Sequence, residues 1–70
     1  MDAFERRIRV RCAIEMDTRI HLIIDGELER YVGSSRQVAE YRALRCAEMA
    51  EWRQTVIEAA VADLLKLRIN

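Results

Sequence analysis

Residues Arg6–Met16 read RRIRVRCAIEM, and apolar and polar side chains alternate along them almost without a break. Ile8, Val10, Cys12, Ile14 and Met16 fall on one parity, while Arg7, Arg9, Arg11, Ala13 and Glu15 fall on the other. A period of two is the signature of a strand with one buried and one wet face. The reading therefore starts from a β-strand over residues 6–16 whose solvent face carries three arginines.

Working outward, Asp17-Thr18 offers a turn, because both side chains can bond their own backbone. Residues 19–24, RIHLII, continue the alternation as a second strand, with Ile20, Leu22 and Ile24 on the core parity. Asp25-Gly26 follows as a hairpin signal, and LERYV over Leu28–Val32 makes a third strand. A three-residue loop, Asp25-Gly26-Glu27, pairs Ile24 with Leu28 and Ile20 with Val32, which sorts the faces except for Arg30.

At Gly33-Ser34-Ser35 the period changes. Ser34 with Gln37 fits a capping box, in which hydroxyl and amide satisfy free backbone N–H groups at a helix start. From there to about residue 68 the chain has no glycine or proline and is rich in Ala, Leu, Glu and Arg, so one continuous helix is predicted. The predicted fold is α+β: a three-stranded antiparallel meander over 6–32 and a long helix over 34–68, in one domain spanning 1–70.

That helix carries two apolar stripes. One holds Val38, Tyr41, Met49, Trp52, Val56 and Leu67, the other Ala39, Ala43, Cys46, Ala50, Ile57, Val61 and Leu64. Together they are wider than one small sheet can cover, and chains of this size need disulfides, metal or self-association to supplement a small core. Two cysteines and one histidine supply neither a disulfide framework nor a usual zinc ligand set, so no metal or other cofactor is expected. Self-association is left: a helix-mediated homodimer is predicted, with Trp52, Val56, Ile57, Val61, Leu64 and Leu65 at its interface.

Twelve basic residues balance twelve acidic ones, and a neutral field gives no long-range pull toward nucleic acid or anionic lipid. The longest apolar run, Ala59–Ala62, is far too short to span a bilayer, and the N-terminus has no apolar core of signal-peptide length. A soluble, cytoplasmic protein with reduced thiols and no membrane partner is the expectation. Catalysis is not expected either. Cys12 has the core parity and His21 the wet one, Cys46 lies among alanines, and no glycine-rich phosphate loop or nucleophile elbow occurs.

The arginines are the remaining functional signal. Arg7, Arg9, Arg11, Arg19, His21 and Tyr31 would share the open sheet face, with Ile23 as an apolar centre and Arg30 reaching out from an edge strand. Arginine and tyrosine are enriched at binding hot spots, so these seven polar residues are the predicted contact set for a protein partner. The plain alternative is a solvated face whose charges pair across strands. Three strands followed by a helix, with arginines on the open face, resemble the plant AP2-type and phage-integrase arm-binding domains; that resemblance implies dimeric DNA binding through the sheet, with nucleic acid as the alternative partner. In size and economy the chain also resembles small phage-encoded inhibitors of host regulatory proteins, of the anti-quorum-sensing and anti-CRISPR type, which implies binding and inhibition of another protein.

Overall fold

The computed structural model describes residues 1–69, with side-chain surroundings described through Leu67. The chain folds as two helices, α1 over Ala3–Leu28 and α2 over Ser35–Ile69, packed as an antiparallel hairpin. No strand occurs among the described residues. The predicted α+β meander is thus overturned. Residues 6–16, 19–24 and 28 all lie in α1, and Glu29–Val32 lie in the connection.

The turns expected inside that region are helical as well. Thr18 turns its hydroxyl back to the Ile14 carbonyl at 3.0 Å, the local bond a threonine makes inside a helix. Asp25 and Gly26 continue α1, and the Glu29 N–H donates to the Asp25 carbonyl at 3.1 Å. α1 begins where Asp2 caps it: its carboxylate accepts from the Glu5 N–H at 2.7 Å, and Glu5 sits in the positive first turn. It ends in a tightened turn, with Arg30 and Tyr31 donating three residues back to Glu27 and Leu28.

α2 starts as the sequence predicts. The Gln37 N–H donates to Ser34 Oγ at 3.2 Å, and the Ser34 N–H donates to Gln37 Oε1 at 2.8 Å. This reciprocal pair is the capping box.

The helices meet through a ladder with a constant spacing of four. Met16, Ile20 and Ile24 are buried on α1, and Ile57 and Val61 on α2. Ile8, Cys12, Ala13, Val56 and Leu65 pack around the end of that core remote from the turn. Residues four apart form an inclined ridge on a helix surface, the ridge that interlocks with its neighbour's groove. With only five residues buried among the described ones the core is small, and the molecule is a rod of 52 × 18 × 15 Å.

Candidate functional site

The hairpin has three surfaces of different chemistry. The first is a seam of ion pairs across the two helices. Arg9 pairs with Glu58 and reaches Glu5 at 3.4 Å. Arg53 Nε donates to Asp17 at 2.7 Å, and Arg42 meets Asp25 at 3.0 Å. Nearest the turn, Arg45 grips Glu27, which also accepts from the Tyr41 hydroxyl at 2.8 Å. The bonds from Arg45 first, and from Tyr41 second, push the Glu27 carboxyl down to about 2. The same bond raises the Tyr41 hydroxyl. Arg53 lowers Asp17 and Arg9 lowers Glu58 by donating to them. Tyr31 stacks on Tyr41 with ring centroids 4.9 Å apart.

The second surface is an apolar groove between the helices. Its larger part is a cleft of about 540 Å³ lined by Phe4, Ile8, Cys12, Leu64 and Leu67, with Arg11 and Glu15 at its rim. A smaller continuation of about 160 Å³ runs past Arg19, Val56 and Ala60. Trp52 lies one helical turn before Val56, on the same face, and is 45% exposed.

The third surface is the outer face of α1. Val10, Ile14 and Leu22 are exposed there. Arg6, Arg7 and Arg11 surround Val10 in a depression of about 340 Å³.

The predicted contact residues do not share one face. Arg7 and Arg11 flank the outer depression, and His21 is exposed farther along α1. Arg9 is tied into the ion-pair seam, and Arg19 lines the groove. Arg30 and Tyr31 sit in the connection at the turn. A sheet-borne DNA interface, and with it the element order behind the AP2-type and integrase resemblance, has no strands to stand on. Arg6 belongs to the outer cluster and escaped the strand reading, which put it on the core parity. The helical spacing 6, 7, 10, 11 is the signal that finds it.

The predicted interface residues divide likewise. Ile57 and Val61 are buried within the chain, and Val56 and Leu65 pack beside them. Trp52 and Leu64 are exposed. The lid over α2 is therefore a 26-residue helix of the same chain, not a sheet.

Cys12 lines the cleft while His21 is exposed nine residues on, about 13 Å along the axis of the same helix. Among the described residues no group of three or more His, Cys, Asp or Glu could hold a metal ion, and no helix is long and apolar enough to cross a membrane. Comparisons with protein-family models, curated proteins and solved structures give no match for this chain.

Proposed function

We propose that this chain is a non-enzymatic protein-binding module, and that it binds and modulates its partner through the outer face of α1. The observation that carries the reading is the depression where Arg6, Arg7 and Arg11 enclose Val10, with Ile14 exposed one turn farther on. An apolar centre rimmed by arginines is the composition of a protein contact, because the apolar atoms supply burial while the guanidiniums pair with carboxylates. Among the described residues none of the three arginines forms an ion pair, unlike Arg9, Arg42, Arg45 and Arg53, which do. The partner this face fits is a protein surface with an apolar side chain ringed by Asp or Glu. Glu15, Asp17 and Asp25 on the same helix weaken the phosphate attraction that nucleic acid needs.

The test places a photo-crosslinking amino acid at Ile14, in cells of the source organism. One discrete foreign protein should be trapped. Arg7→Glu with Arg11→Glu should reduce that adduct at least about tenfold, the usual consequence of losing hot-spot arginines, while circular dichroism stays unchanged. An adduct that survives the charge reversals, or no adduct at all, overturns the reading.

A further inference from the structure

The folded chain exposes more surface than its mass requires. Its accessible area is 5500 Å², against about 4,500 Å² for a compact monomer of 8.2 kDa. The surplus, roughly 1,000 Å², is close to the ~800 Å² that each partner buries in a standard interface. The radius of gyration agrees: 15.6 Å, where a compact chain of this length has about 11 Å.

Part of the surplus is apolar surface along the groove, where Trp52, Leu64 and Leu67 are exposed, and there it has a shape. At one level stands Trp52, the only tryptophan, half out in solvent. At another level of the same side is the cleft between Phe4, Ile8, Cys12, Leu64 and Leu67, large enough to admit an indole. We propose that two copies of this chain meet groove to groove about a twofold axis, each seating Trp52 in the other's cleft.

Twofold contacts are self-complementary, so knob and hole must lie on one face with the axis midway between them. Trp52 and Leu67 are fifteen residues apart on α2, about 22 Å along the helix. The midpoint falls between Ala59 and Ala60, where the side chains are small enough for two helices to approach closely. The product is a four-helix bundle in which the groove becomes core, a route by which small helical chains gain the burial that one copy lacks.

This interface shares only Arg11 with the outer face of α1, and the Trp52 variants test it without altering the proposed partner surface. Sedimentation and light scattering on the intact chain should give twice the 8.2 kDa chain mass at micromolar concentration. Tryptophan emission, which reports Trp52 alone, should shift to longer wavelength on dilution. Trp52→Ala should raise the dissociation constant at least about tenfold, as loss of a buried aromatic anchor does, with helicity retained. In a Cys46→Ala background, Trp52→Cys should give a covalent dimer with a short bismaleimide, and that dimer should vanish when Cys12→Ala is added. A chain that stays at 8.2 kDa at millimolar concentration overturns the proposal. So does a dimer that survives Trp52→Ala, or a crosslink that does not need Cys12.

Discussion

Arg45 holds Glu27 with two parallel hydrogen bonds, Nε to Oε1 at 2.7 Å and Nη2 to Oε2 at 2.9 Å. This fork-to-fork pair ties the last turn of α1 to the third turn of α2. The six-residue connection can then stay irregular without letting the helices splay, since Tyr31 stacks on the same cluster through Tyr41.

The pair predicts how acid unfolds the hairpin. Glu27 is held at about 2 in the folded chain, below its ordinary value of 4.5. A depressed carboxylate contributes stability that is fully present above its unfolded value and is lost as pH falls through the folded one. Asp17 and Glu58 are depressed by their arginines in the same direction. Melting temperature, followed by circular dichroism, should therefore fall steadily from about pH 4.5 to pH 2. Glu27→Gln should start lower at pH 7 and fall less steeply across that window. Parallel slopes for the two proteins would mean the Arg45 pair does not form in solution.

Met16 and Ile14 are two residues apart and separate the two architectures cleanly. On a strand they would share a face; on α1, Met16 is 4% exposed and Ile14 is 61% exposed. Met16→Ala should cost about 2–5 kcal/mol by transfer and cavity terms, a large part of the stability of so small a chain. Ile14→Ala should stay within about 0.5 kcal/mol. Urea unfolding of both variants measures the difference, and comparable losses would contradict the helical hairpin.

The same pair explains why the strand reading was persuasive. Residues four apart share a helical face, and they also share parity. Ile8, Cys12, Met16, Ile20 and Ile24 form one ladder of fours along the buried side, while Val10, Ile14 and Leu22 form another on the outer side. Interleaved, the two ladders mimic a period of two, and only burial tells them apart. The charged partners lie far off in sequence, forty-nine residues for Arg9 and Glu58, so local patterning could not show that Arg9 is committed to the seam. Asp2 and Glu5 were the overlooked local signal, a cap residue followed three positions later by an acid. The second helix was legible because Ser34 and Gln37 mark its start and nothing interrupts it afterward. Two apolar stripes on that helix were legible too; which stripe meets α1 was not, because that depends on where the first helix lies.

Arg9 and Glu58 give a third expectation. Two bonds join them, the longer from Nη2 to Oε2 at 3.1 Å, and the Arg9 side chain is 28% exposed against 48% for Glu58. Arg9→Ala and Glu58→Ala should each destabilise the hairpin, and the double variant should lose less than the two effects added. Arg9→Ala should be the worse single change, since it removes packed methylenes as well as charge. Denaturant titrations at low and high salt measure the coupling. It should shrink but persist in salt, because the pair is partly shielded from solvent, and strict additivity would dissolve the seam as a structural feature.

The two glycines should respond with opposite signs. Gly26 lies inside α1, and a Cβ there would meet nothing within 4 Å. Gly26→Ala should therefore stabilise the chain by about 0.5–1 kcal/mol, the usual helical preference for alanine, and raise the melting temperature by a few degrees. In a strand hairpin the same change would destabilise, because the turn would need glycine's conformational freedom, so the sign alone distinguishes the folds. Gly33 is different. A Cβ at that position would lie 2.8 Å from Gln37 Oε1 and 2.9 Å from a ring carbon of Tyr31. Gln37 could relieve the contact only by giving up its bond to the Ser34 N–H, which closes the capping box. Gly33→Ala should thus cost on the order of 1 kcal/mol, the worth of a helix cap. The loss should shrink in a Gln37→Ala background, where the cap bond and the obstructing amide are gone and only the Tyr31 contact remains. A Gly33→Ala penalty that persists undiminished without Gln37 would place its cause elsewhere in the connection.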